Sequence, residues 1–77
     1  MALGFVLIRT APVHEKEIYN ILLKIPQVVD LHALFGEYDF IAKIQANDFE
    51  ELGVIIVSKI RSIQGVLETK TLTGLTF

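Results

Sequence analysis

The segment Gly36-Glu37-Tyr38-Asp39 gathers a conformationally free glycine, two carboxylates and a phenol in consecutive positions. Glycine lets a backbone approach a ligand closely, and a carboxylate can hold an ammonium group. A free amino acid asks for such a set: an anionic or carbonyl partner for its amine, N–H or hydroxyl donors for its carboxylate, and an apolar pocket for selectivity. Asp39, the Gly36 backbone and the hydroxyls of Thr69 or Thr71 supply the first two. The plainer alternative has Gly36 turning a hairpin, Asp39 capping the loop and the threonines serving as ordinary strand residues, because turns are rich in Gly and Asp.

Other chemistry is thin. The chain has no cysteine, and Ser58 and Ser62 fall on or near a helix without an accompanying His and acid set. A hydrolytic triad is therefore not expected, and no catalytic residue is assigned. His14 and His32 stand alone, without cysteines or a local His-x-x-x-His pattern, so no metal or other cofactor is implied. His14 reads as a solvated residue of a first helical turn, and His32 as a strand residue at a subunit contact.

These residues must be positioned by a small number of elements. Ala2 to Thr10 is a nearly continuous apolar run that suits a strand covered on both faces. Pro12 predicts a helix start, with Glu15 and Glu17 in the first turns and a stripe of Ile18, Ile21, Leu22 and Ile25 ending at Pro26. From Val28 the period becomes two, placing Val29, Leu31, Ala33 and Phe35 on one side and Asp30, His32 and Leu34 on the other. Gly36 and Glu37 then connect to an alternating strand from Tyr38 to Ala46, an antiparallel hairpin. Asp48 and Glu51 resemble a capping box that opens a helix running to about Ser62, with Leu52, Ile55, Ile56, Ile60 and Ile63 inward and Val54 and Val57 left for further burial. Gly65 stops it, and Val66 to Phe77 reads as a Thr-rich last strand whose facing alternation does not decide.

The junctions Ile25-Pro26-Gln27-Val28 and Ile63-Gln64-Gly65-Val66 echo one another 38 positions apart. The order β-α-β, given twice, is the α+β ferredoxin-like βαββαβ plan, a four-stranded antiparallel sheet with both helices on one face. If Val29, Leu31, Ala33 and Phe35 face the helices, then His32, Leu34 and Ile41 lie on the open face beside Lys43, and the first strand adds more apolar surface. Such a patch marks an interaction site.

Composition sets the outer bounds. A chain of 77 residues holds one domain, 1–77, near the size where burial only just offsets conformational entropy. It is 52% hydrophobic and 21% charged, so an interface between copies is the expected source of further stability. The net charge is −2 and the seven Lys and Arg are scattered, which argues against direct nucleic-acid binding. Leu3 to Ile8 lacks the flanks of a signal peptide, and no apolar run reaches the ~20 residues of a membrane span. A cytoplasmic protein is expected.

The opening strand, Ile25-Pro26-Gln27-Val28, Phe35-Gly36-Glu37-Tyr38-Asp39, the acidic start of the second helix, and Gly65-Val66 leading to Thr69-Lys70-Thr71 together resemble the C-terminal effector domain of the Lrp/AsnC family of feast/famine regulators. That module is called RAM, for regulation of amino-acid metabolism, and the resemblance covers essentially the whole chain. It implies a dimer whose sheets face each other, assembly of dimers into rings in many members, and small effectors, often amino acids, bound between dimers. It places Gly36, Glu37 and Asp39 near the ligand and makes Thr69 and Thr71 candidate ligand or interface residues. Full-length members carry an N-terminal helix-turn-helix that binds DNA; with the first strand read from Ala2, a form that stands without that half is expected here. The expectation is a stand-alone amino-acid-responsive module linked to transcriptional regulation, a homodimer or larger oligomer, and a potential co-assembly partner of full-length Lrp/AsnC regulators.

Two other readings make different demands. A small dimeric ferredoxin-like enzyme, such as a cofactor-free monooxygenase or an isomerase, would place His14, His32, Tyr19 or Tyr38 in a cavity within each subunit. A ligand-free partner subunit would need only the contact surface. Metallochaperones, which need Cys-x-x-Cys, and RNA-recognition motifs, which need exposed aromatics among basic residues, rank lower.

Overall fold

The chain folds as β1 (Ala2–Thr10), α1 (Glu15–Leu23), β2 (Val28–Ala33), β3 (Phe40–Ala46), α2 (Phe49–Ile55) and β4 (Val66–Thr73), in a computed structural model that describes residues 1–75. The four strands form one sheet in the order β2-β3-β1-β4, each neighbouring pair antiparallel. This is the expected ferredoxin-like sandwich. Its core lies between the helices and one face of the sheet. Val6 and Ile8 of β1 and Phe40, Ala42 and Ile44 of β3 meet Ile18, Leu22 and Ile25 from the first helical segment and Leu52, Ile55, Ile56 and Ile60 from the second.

Each helix departs from the sequence reading for a local reason. Pro12 does not open α1, because Val13 takes a positive φ of 76° and breaks the chain direction, and the first helical bond runs from the Ile18 N–H to the His14 carbonyl at 3.0 Å. Ile18, Leu22 and Ile25 are buried as the stripe requires, while Ile21 stays exposed at its margin. Asp48 caps α2 by accepting the Glu51 N–H at 2.8 Å. The reciprocal half of the capping box is replaced, since the Glu51 carboxylate takes the Asn47 side-chain amide at 2.9 Å. Beyond Ile55 the helix widens into a π-type turn over Ile56–Ile60, closed by Arg61 N–H donating to the Ile56 carbonyl at 2.8 Å. Ser58 and Ser62 each donate a hydroxyl hydrogen bond to the carbonyl four residues earlier, at 2.6 Å, which competes with the regular ladder. The inward set Leu52, Ile55, Ile56 and Ile60 is buried, with Ile63 packed partly against it; Val54 and Val57 are exposed on the single chain.

The β2–β3 hairpin forms, but with shorter strands than alternation suggests. β2 ends at Ala33 and β3 begins at Phe40, leaving Leu34 to Asp39 as a loop in place of a two-residue turn. Leu31 and Ala33 stand opposite Ala42 and Phe40 on the helix side, as expected. Val29 does not, because a bulge between Val28 and Asp30 throws it outward, and Phe35 lies past the end of the ladder, fully exposed. The repeat holds at both junctions: Val28 N–H donates to the Ile25 carbonyl at 3.0 Å, and Val66 N–H to the Ile63 carbonyl at 3.1 Å. Pairing with β1 also settles the last strand. Thr69, Thr71 and Thr73 stand opposite Ile8, Val6 and Gly4 on the helix side, leaving Glu68, Lys70 and Leu72 on the open face. The expected extension of this strand to Phe77 stops at Thr73 in part, and its last two positions lie outside the described residues.

Candidate functional site: the open face and the Gly36 loop

Cross-strand partners in an antiparallel sheet share a face, so the register builds the open face row by row. One row is His32, Ile41, Leu7 and Lys70; the next is Asp30, Lys43, Phe5 and Leu72; Gln45 and Leu3 begin a third. Leu3, Phe5, Leu7 and Ile41 thus form a continuous apolar strip along β1 and β3, which Leu72 extends. Charged groups flank it: Arg9 and Glu68 pair across β1 and β4 at 2.7 Å, and His32 contacts Asp30 at 3.1 Å on the β2 edge. His32 and Ile41, two of the expected contact residues, are direct partners, and exposed Leu34 follows them just past the strand.

Sequence reading did not name Leu3, Phe5, Leu7 or Leu72 as contact residues. The signal lies in β1, where the helix face takes the small residues Ala2, Gly4 and Val6 and the open face takes Leu3, Phe5 and Leu7. Close helix approach explains the asymmetry: a Cβ on Gly4 would stand 3.0 Å from Leu52 Cδ2.

The residues expected at a ligand share one end of the sheet, where β1 finishes and β3 and β4 begin. Asp39 donates its N–H to the Ile8 carbonyl at 2.9 Å. Its Oδ2 accepts the Thr10 N–H at 2.7 Å and the Thr10 hydroxyl at 3.1 Å. The β1–β4 register shifts between Arg9 and Thr10, and the Asp39 carboxylate serves the N–H that the irregularity presents. Asp39 therefore ties the loop to the end of β1, and its Oδ1 has no hydrogen-bond partner among the described residues.

Gly36 adopts a φ of 142°, with nothing within 4 Å of where a Cβ would stand, so its glycine character answers a backbone need and leaves one side open to an approaching molecule. Glu37 is exposed beside it. Thr69 stands across β1 from Phe40, roughly 10 Å away at two strand spacings, and lines a depression of about 260 Å³ with Arg61 and Glu68. Thr71 lies one step further along the helix side, exposed. A single subunit thus brings Asp39 and Thr69 to the same end without enclosing them with Gly36 and Glu37 in one pocket.

Neither histidine joins a larger acid-base cluster among the described residues, although His14 lies beside the Gly65 turn that leads into β4. His14 is exposed at the start of α1, 3.8 Å from Glu17, and His32 is exposed on the edge strand. Tyr19 packs on Phe40, ring centroids 5.9 Å apart. Among the described residues no three His, Cys, Asp or Glu side chains converge as a metal site. No helix there is long and apolar enough to cross a membrane.

Comparison with known proteins fits this geometry. The family model described as the Lrp/AsnC ligand binding domain matches residues 3–75. An uncharacterized HTH-type transcriptional regulator of Pyrococcus furiosus is 41% identical over 74 residues, which make up 92% of this chain and 49% of that protein. The chain spans about half the length of the curated relatives it matches. The crystal structure of FFRP-DM1 superposes with a TM-score of 0.94 at 32% identity, over 97% of this chain and 100% of that one. A Neisseria meningitidis transcriptional regulator, crystallised as its L-Met complex, shares the fold at a TM-score of 0.87 and 19% identity, over 97% of this chain and 50% of that chain.

Proposed function

The chain belongs to the Lrp/AsnC ligand-binding domain family, and from that premise we propose that it is an amino-acid-responsive assembly module. Two copies pair through their open faces, and the effector sits at a boundary between subunits near Gly36, Glu37 and Asp39, with Thr69 and Thr71 contributing hydroxyls. The observation that carries the reading is the strip of Leu3, Phe5, Leu7, Ile41 and Leu72 on the face that the chain's own helices leave bare. Fully burying such a side chain is worth about 1.5–3 kcal/mol, a large gain for a domain of this size.

Three further points support it. The curated relatives are named as transcriptional regulators and not as enzymes. The Neisseria meningitidis regulator binds L-Met, the class of ligand that an ammonium-accepting carboxylate and nearby hydroxyls suit. Asp39 Oδ1 is the oxygen free to meet such an ammonium while Oδ2 holds Thr10. On this reading the module works without a cofactor, in the cytoplasm with the transcription apparatus, and the open face also admits the matching domain of a full-length regulator.

The test pairs a thermal-shift and calorimetry screen of the twenty amino acids with light scattering. At least one amino acid should raise Tm with saturation; a ligand at a hundred times its Kd adds about 2.7 kcal/mol. Leu7→Asp should convert the dimer to a monomer. A wild-type monomer whose Tm no amino acid moves ends this reading.

A further inference from the structure

β4 is an edge strand, paired with β1 on one side only. The Gly74 N–H donates to the Leu3 carbonyl at 2.8 Å, which fixes the direction of the main-chain groups along the strand. In an antiparallel ladder both groups of one residue point to the same neighbour and those of the next residue point away. Leu72, Lys70 and Glu68 therefore turn toward β1, while Thr73, Thr71 and Thr69 turn their N–H and C=O groups to the free edge. The opposite edge of the sheet, β2, is shorter and is interrupted by its bulge. Each end of the β4 edge carries a depression. One, of about 260 Å³, is lined by Arg61 and Thr69; the other, of about 360 Å³, by Leu3, Phe49, Gly74 and Leu75. Neither Arg61 nor Lys70 joins an ion pair among the described residues.

We propose that the β4 edge binds an extended, acidic peptide that ends in a free carboxylate, added to the sheet as a further antiparallel strand. Strand addition draws its affinity from main-chain hydrogen bonds, which Thr69, Thr71 and Thr73 offer, and its specificity from the side chains at the rim. An antiparallel peptide ends where β4 begins, so its terminal carboxylate arrives at the Arg61 depression. There a guanidinium and the Thr69 hydroxyl are the donors that such a group needs. The residue before the terminus stands across from Lys70, which calls for a second carboxylate. From Thr69 to Gly74 the edge runs about 17 Å at ~3.4 Å per residue, so a side chain about five positions before the terminus meets the Phe49 depression, and an apolar one fits it. A second copy is the poorer occupant: its β4, laid antiparallel on this edge, carries the residues after Thr69 past Arg61, and through Leu75 these hold no carboxylate. The free main-chain groups lie in the plane of the sheet, so the edge stays accessible when another copy covers the open face. The inference goes beyond the effector reading, with which it shares Thr69 and Thr71.

Fluorescence anisotropy of the full chain tests this with a labelled six-residue peptide of leucine, valine, threonine, valine, glutamate and valine, in that order. The leucine is placed for the Phe49 depression, the glutamate for Lys70 and the last carboxylate for Arg61. Binding should saturate, and the same peptide closed by a terminal amide should bind roughly tenfold more weakly. Arg61→Gln should erase that preference by weakening the carboxylate form alone, and Arg61→Lys should keep part of it. Methylating the peptide nitrogen opposite Thr71 should abolish binding. Methylating the next one toward the terminus, which points to solvent, should change it by about twofold at most. Arg61 is exposed, so the Gln variant should melt with wild type. A peptide that does not saturate, acid and amide forms that bind alike, a preference that survives Arg61→Gln, or two methylations of equal effect each overturn the inference. Displacement of the peptide by a free amino acid would give the Arg61 depression to the effector, and assemblies that the peptide disperses would give the edge to a second copy; either overturns it as well. The open-face dimer, read by Leu7→Asp, stands or falls apart from these outcomes.

Discussion

Removing the Asp39 carboxylate should cost the fold before it costs any ligand. Oδ2 accepts two hydrogen bonds from Thr10, the backbone N–H at 2.7 Å and the hydroxyl at 3.1 Å, and Thr10 is only 5% exposed. Hydrogen bonds to a charged group contribute about 1.5–3 kcal/mol, and a buried donor left without a partner loses about 1–3 kcal/mol. Because water can reach the partly exposed carboxylate side of the contact, Asp39→Ala should destabilise by about 2–4 kcal/mol. A domain of this length holds only about 0.05–0.15 kcal/mol per residue in total, so the change takes a large share. The corresponding fall in Tm is about 8–32 °C, at about 4–8 °C per kcal/mol. Urea unfolding at one fixed protomer concentration measures it, since the proposed pairing would make stability depend on concentration. Thr10→Val, which removes only the longer bond, should cost about 1 kcal/mol, and the double variant should fall short of the sum because both changes act on one contact. Asp39→Asn keeps an acceptor and should fold well enough for effector measurements. If Asp39→Ala unfolds within 0.5 kcal/mol of wild type, the carboxylate does not hold β1 and the structural role assigned to it is wrong.

Two backbone positions give predictions of opposite sign. Gly65 has a φ of 100°, and a Cβ there would stand 3.0 Å from Ile18 Cδ1 and 3.4 Å from His14 Cβ, so Gly65→Ala should cost about 1–3 kcal/mol by urea unfolding. A cost below 0.5 kcal/mol would show that the turn relaxes freely. Val13 is a β-branched residue at a φ of 76° with its side chain 90% exposed, so Val13→Gly removes strain and no packing. Relief of about 1–2 kcal/mol less the entropy cost of glycine leaves a gain of about 0.5–1 kcal/mol; a loss of stability would show that the side chain is held by something the single chain does not contain.

The sequence yields what burial writes into it and misses what pairing decides. Ile18, Leu22, Leu52, Ile55 and Ile60 are legible because a helix must repeat its apolar residues every three or four positions to keep one side dry. Phe35 is misread because alternation does not say where a ladder stops. The stop is made by Leu34 N–H donating to the Asp39 carbonyl at 2.7 Å and by the turn at Gly36, and neither leaves a mark on the period. Asp39 is legible as a residue with a task, but its partner Thr10 lies 29 positions away, and nothing local to either residue connects them.

The last strand shows how the missing facts follow from the register. Thr69, Thr71 and Thr73 suit either environment, so composition is silent until Gly4, Val6 and Ile8 are found opposite them. Once β1 is oriented, everything else on the sheet is fixed, and β1 does carry its own orientation. Leu52 approaches the sheet so closely that a Cβ at position 4 would crowd its methyl groups at 3.0–3.1 Å, and the helix side takes Ala2, Gly4 and Val6 while Leu3, Phe5 and Leu7 turn outward. A strand apolar on both sides can thus be oriented by asking which side is small enough to admit a helix. The side left with the larger residues is the open face, the one on which the proposed second copy would sit.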